Sequence, residues 1–534
     1  MRLMFKFRYL PLTISVALAI ASLGASLIWP RSSFFFACCF VAFASLVTLG
    51  LRDFTQTRHA VLRNYPIAAR LRFLLEAVRP EMRQYFFEGE KDGAPFSRDQ
   101  RAIVYQRAKK ELDKRPFGTL LDVYKEQYEW LHHSLVPASP LPVSQMRVQI
   151  GSYSASLLNI SAMSYGALSQ NAIRALNKGA KLGAFFHDTG EGGVSPYHRE
   201  MGGDLVWEIG SGYFGCRGRD GGFDPDAFAK TAADPQIKMI EIKLSQGAKP
   251  GHGGVLPAAK VTEEIALIRG VPMGRDCISP ARHSAFSTPV ELLHFVAQLR
   301  DLSGGKPTGF KLCLGHEWEF MAICKAMVET DITPDFIVID GKEGGTGAAP
   351  LEFMDHIGMP LRDGLSFAHN ALIGVGLRDR VKLGASGKIT SAFDMAKIIA
   401  LGADWCNSAR GFMFAVGCIQ AQSCHTGECP TGVATQDPLR NRALVVEDKA
   451  ERVKNFHHNT LQALSELVAA AGLSHPNQLR PHHFQRRAST DKVVSFADQY
   501  EQLAPGVLLQ NPAASMRYGA AWQLAQIGSF ARAS

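Results

Sequence analysis

Paired cysteines are missing from this 534-residue sequence. Of its ten cysteines, Cys38 and Cys39 lie inside an apolar run and the other eight scatter over 216–429, with no Cys-x-x-Cys. That excludes a disulfide-stapled secreted scaffold and suits a reducing compartment. No Walker A sequence is present, and with the third strand set near Gly210–Cys216 no Gly-x-Gly-x-x-Gly follows a predicted strand, so P-loop and Rossmann sites are not expected. Internal repeats and low-complexity tracts are absent. A basic core is absent as well: residues 1–115 hold 19 Lys/Arg against 9 Asp/Glu, and the remainder holds 39 against 40. The basic character belongs to one end, which excludes a nucleic-acid-binding body.

Charge is missing altogether from two stretches at that end, Leu10–Trp29 and Ser32–Leu51, of 20 residues each. Each is long enough to cross about 30 Å of hydrocarbon as a helix. Arg2, Lys6 and Arg8 precede the first; Arg52, Arg58 and Arg63 follow the second. The positive-inside rule then predicts a hairpin over residues 1–52 in a bacterial inner membrane, with both ends and the catalytic domain cytoplasmic. The alternative is a cleaved signal peptide followed by one anchor. Against it, the first run is long for a signal core and no small-x-small site ends it.

Residues 53–147 read as a juxtamembrane helical segment and linker, ending in the proline-rich "LVPASPLP" (135–142). Its arginines suit either anionic lipid headgroups or a solvated helical face. Over 148–440, short β-rich runs alternate with helical stretches. Strands are predicted in 156–164, 184–190, 237–245, 308–314, 335–341, 380–387 and 403–409, with the third in order near 210–216. Alternation of this kind gives an α/β fold with a parallel sheet, and the strand number favours a closed (β/α)8 TIM barrel. Residues 441–534 read as a C-terminal helical extension and tail.

Five strands run into Gly-, Ser-, Thr-rich or charged clusters: "SAMSYGALS", "DTGEGG", "KLSQGAKPGHGG", "DGKEGGTGAAP" and "GASGK". In a barrel those loops share one face, where active sites of this fold lie. The last two loops, "GASGK" (384–388) and "NSARG" (407–411), suit a phosphate, with Lys388 and Arg410 as neutralising cations. In the fourth loop Lys243 is expected to point inward from its strand, with Gln246 and Lys249 beyond it. A lysine inside a barrel mouth needs an anionic partner; surface lysines are the plainer alternative.

Cys418, Cys424 and Cys429 fall within "GCIQAQSCHTGECPTGVATQDP". Three thiolates match a [3Fe-4S] cluster, while His425 would complete a zinc site instead; buried inert thiols are the third reading.

Residues 150–440 resemble the FMN-binding synthase domain of glutamate synthase, through "ISAMSYGALS", "TGEGG", "IKLSQGAKPGHGG", "DGKEGGTGAAP" and the cysteine segment. The resemblance implies FMN at the barrel mouth and a [3Fe-4S] cluster on Cys418, Cys424 and Cys429. It implies reductive amination of 2-oxoglutarate with ammonia, through 2-iminoglutarate, to L-glutamate: an oxidoreductase on CH–NH2 donors. Met163 and Ser164 would then line flavin and substrate, and Lys243 and Arg269 would hold substrate carboxylates. Glu191, Lys243 and Lys249 would be the catalytic group, Glu191 managing a proton. Gln246, Lys249, Gly344, Gly345 and Thr346 would contact the ring, and Ser386, Gly387, Ala409 and Arg410 the phosphate.

The sequence departs from the family pattern at His252, in place of an acid, and at Val255, in place of a glutamine. The phosphate loops differ too, "SGK" for "DGG" and "AR" for "GT". A glutaminase domain, a long C-terminal β-helix and an NAD(P)H-binding unit are not found. Ammonia from glutamine would need a separate amidotransferase, and electrons a ferredoxin-like or reductase donor. Two rival readings stay open: an N-methylglutamate synthase-like enzyme using another amine, and a non-catalytic flavin and iron–sulfur electron-transfer subunit.

Overall fold

The computed structural model describes residues 7–533. The chain divides into two units, Met1–Arg98 and Asp99–Ser534.

In the first unit, helices Leu10–Ile28 and Ser33–Thr55 are joined by the short turn Pro30–Ser32. They run antiparallel: Tyr9 meets Phe54 at one end (5.8 Å between rings) and Trp29 meets Phe36 at the other (5.9 Å). Glycine is needed where the helices cross, because a Cβ at Gly50 would stand 2.6 Å from Leu12 Cδ1. Both helices are long and apolar enough to cross a membrane. Beyond them the chain turns back sharply. Buried Asp53 accepts hydrogen bonds from Ile67 N (3.1 Å) and Arg70 Nε (2.9 Å), which pins helix Ala68–Met82 to the last turn of the second long helix. Leu71, Leu74, Leu75 and Val78 of that helix are exposed.

The second unit is built on a closed barrel of eight parallel strands, paired in chain order and closing last on first. They are β1 Leu158–Ile160, β2 His187–Asp188, β3 Leu205–Ile209, β4 Ile237–Lys243, β5 Thr308–Leu312, β6 Phe336–Asp340, β7 Lys382–Ser386 and β8 Trp405–Ser408. The fold is a (β/α)8 barrel. Side chains alternate across a strand, so one residue in two points inward. Phe186, Val206, Met239, Phe336, Val338 and Trp405 form the apolar floor, capped by Ile150 and Ala155 of the antiparallel hairpin Arg147–Ile150/Tyr153–Ser156. Glycine makes room for the large rings: a Cβ at Gly384 would meet Trp405 at 2.4 Å.

One layer higher the interior is charged. Lys311 of β5 pairs with Glu208 of β3, lies 3.2 Å from Glu241 of β4 and 3.8 Å from Asp188 of β2, and all four are buried. Burial, and then the charge of Asp188, hold the Glu241 carboxyl far above its ordinary range; burial likewise raises Asp188. Of the two, Glu241 is the member favoured to hold a proton, with Asp188 as its neighbour.

The third strand differs from expectation. It is Leu205–Ile209, just before the Gly-rich segment that was expected to form it. The spacing Gly210-x-Gly212-x-x-Gly215 therefore does follow a strand. It forms a tight turn, with Tyr213 at φ 50° and Gly215 at φ 93°, and the next helix begins only at Pro225. Without a helix N-terminus opening on it, the motif makes no Rossmann site.

The C-terminal region packs on the barrel. Helix Val446–Ala470 lies so close to helix Gln170–Gly183 that a Cβ at Gly179 would come within 2.4 Å of Val453. Residues 484–487 and 493–495 form a three-stranded sheet with Glu129–Leu131, and Tyr518 stacks on Phe367 at 4.9 Å.

Candidate active site at the C-terminal mouth of the barrel

Every residue singled out from the barrel loops ends a strand, as Lys243 and Ser386 do, or follows the C-terminal end of one. Met163 and Ser164 follow β1, Glu191 follows β2, and Lys243 ends β4. Gln246, Lys249 and Arg269 lie in the long segment after β4, Gly344–Thr346 after β6, Gly387 after β7, and Ala409 and Arg410 after β8. Parallel strands with short loops bring these ends together whatever their separation in sequence.

Glu191 is the centre of the first group. Its Oε2 lies 3.1 Å from Lys243 Nζ, both side chains being largely buried. Burial pushes the Glu191 carboxyl up, but Lys243, Arg269 and Lys249 together outweigh it and hold it below its ordinary value. Three cations around one carboxylate leave the pocket with a positive surplus. Lys249 feels the cost: burial lowers its ammonium to about 8, with Glu191 opposing. Arg269 ends helix Glu263–Arg269, donates to the Tyr165 carbonyl (3.1 Å) and stacks over Phe214 at 5.2 Å. That helix is clamped by Glu264, which accepts from the hydroxyls of Tyr165 (2.6 Å) and Tyr197 (2.7 Å). His283 holds the Lys243 backbone (2.8 Å to its carbonyl). A cleft beside the pair is lined by Glu191, Ser211, Lys243, Gln246, His252 and Gly254.

The walls need glycine. A Cβ at Gly254 would stand 1.9 Å from Glu191 Oε1, and one at Gly192 2.8 Å from Arg269 Nη2. Two donors in the group, Gln246 Nε2 and Arg269 Nε, are buried without a partner among the described residues. Buried unpaired donors are rare and call for an acceptor from outside the chain.

A second group lies toward β6–β8. Asp340 accepts from Gly247 N (2.7 Å) and from the Ser386 hydroxyl (2.5 Å), tying the β4, β6 and β7 ends. Arg410 donates to the Glu343 carbonyl (2.5 Å), and a Cβ at Gly345 would stand 2.7 Å from its Nε. Gly387 has φ 148°, a conformation that favours glycine. Burial lowers the Arg410 guanidinium to about 10 and also lowers Lys388, to which Arg410 adds. Two desolvated cations beside a glycine turn suit a phosphate. Gly345 and Thr346 are exposed at the rim, and Met163 is buried, its carbonyl within 3.1 Å of His198 Nε2.

The three cysteines form a third group. Burial raises the Cys418 thiol to about 12 and also raises Cys424. Burial would raise Cys429 too, but the Thr431 hydroxyl and the N–H groups of Ala434, Thr431 and Val433 outweigh it and leave that thiol below its ordinary value. Among the described residues one trio of ligand atoms comes within 4.8 Å of one another, and it is Asp188, Glu208 and Glu241, not the cysteines. Thiolates on one zinc ion stand about 3.8 Å apart, from Zn–S bonds of about 2.3 Å. The three sulfurs do not all lie within 4.8 Å of one another, and His425 is exposed. Three thiols are donors of the type that iron–sulfur centres and zinc both take.

The cysteine segment is tied to the first group. Gln436 Nε2 donates to the carbonyls of Gly166 and Leu168 (3.0 Å each), and Ser169 N donates to Val433 O (2.9 Å). Buried Lys260 donates to Ala167 O (2.7 Å), Cys424 O (3.2 Å) and Ala434 O (3.4 Å). Lys260, Glu264 and the Lys311 network were not anticipated from sequence. Only Glu241 gave a signal, sharing the alternation of β4 with Lys243.

Residues 119–474 match the family model described as the conserved region in glutamate synthase. The glutamate synthase large subunit-like protein YerD of Bacillus subtilis (strain 168) is 37% identical over 497 residues, 85% of this chain and 94% of that one. The archaeal glutamate synthase [NADPH] of Methanocaldococcus jannaschii is 37% identical over 322 residues, and the chain spans 60% of its length. Among solved structures, a flavocytochrome b2 with sulfite bound covers 82% of this chain at 11% identity and a TM-score of 0.43.

Proposed function

The chain belongs to the glutamate synthase family, and on that premise we propose that it is a membrane-anchored enzyme that reductively aminates 2-oxoglutarate to L-glutamate with FMN and a [3Fe-4S] cluster. Members of the family are oxidoreductases acting on CH–NH2 donors, and so is this chain. The observation that carries the substrate is the charge around Glu191: Lys243, Arg269 and Lys249 against one carboxylate. Lys243 and Arg269 supply one cation for each carboxylate of a dianionic oxo acid, and Lys249 is left for the flavin edge.

When bound, FMN supplies a hydride equivalent and the cluster supplies electrons singly. The chain's residues do the rest. Gln246 and Lys249 hold the ring edge, with Gly344, Gly345 and Thr346 at its rim; Ser386, Gly387, Ala409 and Arg410 hold the phosphate. Cys418, Cys424 and Cys429 hold the cluster. Lys243 and Arg269 bind the substrate carboxylates beside Met163 and Ser164. 2-Oxoglutarate and ammonia lose water to give 2-iminoglutarate, which takes up a hydride at carbon and a proton at nitrogen. Glu191 is the group placed to hold that proton. Electrons come from a ferredoxin-like or reductase donor, and ammonia from solution or a separate amidotransferase.

The two long apolar helices support the anchor. The helix pinned behind them lends further support: its exposed apolar face, with Arg72, Arg79 and Arg83 along one flank, suits the surface of an anionic bilayer.

The test is an anaerobic titration. The reduced protein is mixed with 2-oxoglutarate and ammonium, then with 2-oxoglutarate and methylamine, and flavin reoxidation is followed optically. Reoxidation with the first mixture is expected. Reoxidation only with the second identifies an N-methylglutamate synthase, and reoxidation with neither identifies an electron-transfer subunit.

A further inference from the structure

We propose that Lys260 is a positioning residue for the three-cysteine centre: its ammonium ties the cysteine segment to the loop carrying Met163 and Ser164 and supplies the centre with a positive charge. This rests on the iron–sulfur reading above.

An ammonium has three N–H donors and no acceptor. Lys260 is 2% exposed, and three backbone carbonyls are within its reach, from three places in the chain. Ala167 belongs to the loop after β1, three residues beyond Ser164; Cys424 is one of the thiols; Ala434 lies beyond the last thiol and helps to hold Cys429 through its N–H. No other buried lysine among the described residues is shown with three carbonyl acceptors. The arrangement satisfies the group fully, so it persists only where all three segments keep their places.

The lysine also belongs to the electrostatics of the sulfurs. Burial lowers the Lys260 ammonium to about 8, the thiolates of Cys424 and Cys429 oppose that and favour its charged form, and it favours the thiolate of Cys424. Cys418 has its own buried cation in range, Arg101. A tri-thiolate iron–sulfur centre is anionic and becomes more so on reduction. Two buried cations beside it lower the cost of placing that charge in a desolvated site, and they stabilise the reduced form more than the oxidised form. Lys260 differs from Arg101 in that the charge and the mechanical tie reside in one group. Whatever moves the loop after β1 is felt at Cys424 through a single ammonium.

The test compares the purified full chain with K260M, which keeps length and loses charge, and K260R, which keeps charge. Iron per polypeptide, iron loss to a chelator and the midpoint potential of the iron centre by EPR-monitored titration are measured, with the flavin spectrum as the folding control. K260M is expected to lose iron about 10- to 100-fold faster and to show a lower midpoint potential, with K260R close to the parent in potential. A K260M variant that keeps the parent's iron retention and potential overturns the proposal. If K260M and K260R lose iron equally, charge is not the cause and the electrostatic half is overturned. If the parent itself never holds iron, the cluster reading has failed. Hydrogen exchange at residues 164–168 and 418–436 then tests the tie alone: faster exchange in K260M supports it, and unchanged exchange overturns it.

Discussion

Lys243 and Glu191 stand 3.1 Å apart at the mouth of the barrel, one at the end of β4 and the other just beyond β2. Each is the other's direct charge partner. Under the proposed function, an arriving carboxylate competes with Glu191 for Lys243 and releases Glu191 to handle a proton. E191Q is therefore expected to keep bound FMN and to turn over about 10²- to 10⁴-fold more slowly. K243M is expected to raise the KM for the oxo acid more than it lowers kcat, because it removes a binding charge. Steady-state kinetics on both variants separate the roles. A K243M enzyme with an unchanged KM removes Lys243 from the substrate site.

Lys249 gives the site a pH dependence of definite sign. Its ammonium titrates near 8 in the fold against 10.5 in an ordinary setting. Between those values the unfolded chain holds a proton that the folded chain has released, so this group makes stability rise with pH across that window. Binding follows the opposite course: the pocket loses a positive charge as pH passes about 8. The KM for the oxo acid is expected to rise above that pH. K249R, whose guanidinium stays charged, is expected to flatten the profile. A wild-type KM constant from pH 7 to 9.5 excludes Lys249 from substrate or cofactor charge balance.

Much of this architecture was legible in the sequence. Seven strands announced themselves as short β-rich runs, five of them ending in Gly-, Ser-, Thr-rich or charged loops, and those loops do share one face. β3 was not legible. "LVWEI" is buried on every side, so it lacks alternation, and the glycine-rich turn behind it looked like the better strand. The charged layer was illegible for another reason. Glu208, Glu241 and Lys311 acquire meaning only from one another, and they come from three strands whose inward faces no single-strand pattern aligns. Lys260 in "LPAAKV" reads as an ordinary surface lysine, because its acceptors are backbone carbonyls and carbonyls leave no trace in a sequence.

The charged layer makes a contrast that tests the assignment of its proton. Lys311 is the cation among three buried carboxylates. K311M leaves them uncompensated and is expected to destabilise the barrel by about 3–5 kcal/mol. E241Q replaces the group favoured to hold the proton beside Asp188; an amide keeps a donor there, so the expected change is within about 1 kcal/mol. Urea denaturation of the two variants against the parent decides it. An E241Q cost as large as that of K311M means that Glu241 is ionised and the proton resides elsewhere.

The hairpin reading predicts a topology. Six basic residues flank the paired apolar helices, and the turn between the helices carries only Arg31. A reporter inserted at residue 31 is expected to be periplasmic and one fused at 534 cytoplasmic, with the chain resisting carbonate extraction. A periplasmic signal at 534 reverses the orientation. A chain shortened at its N-terminus, with one span left, establishes the cleaved signal instead.

The cysteine centre allows the most direct chemical test. Cys424 is buried enough to be raised, lies within range of Lys260 and sits between the other two thiols in sequence. A centre that needs all three sulfurs cannot form when one is replaced by a hydroxyl, whereas the FMN donors lie on other loops. C424S is therefore expected to lose the iron-dependent visible absorbance and its iron, and to keep stoichiometric FMN. Electron flow from an external donor to bound flavin should fall with the iron, while chemically reduced flavin should still be reoxidised by the imine. Stoichiometric zinc in anaerobically purified wild-type protein contradicts the iron assignment, and so does a C424S variant with undiminished iron. Loss of FMN together with iron points instead to one cooperative unit. The hydrogen bonds from Gln436 to Gly166 and Leu168 provide the path by which disorder in the cysteine segment would reach the flavin side.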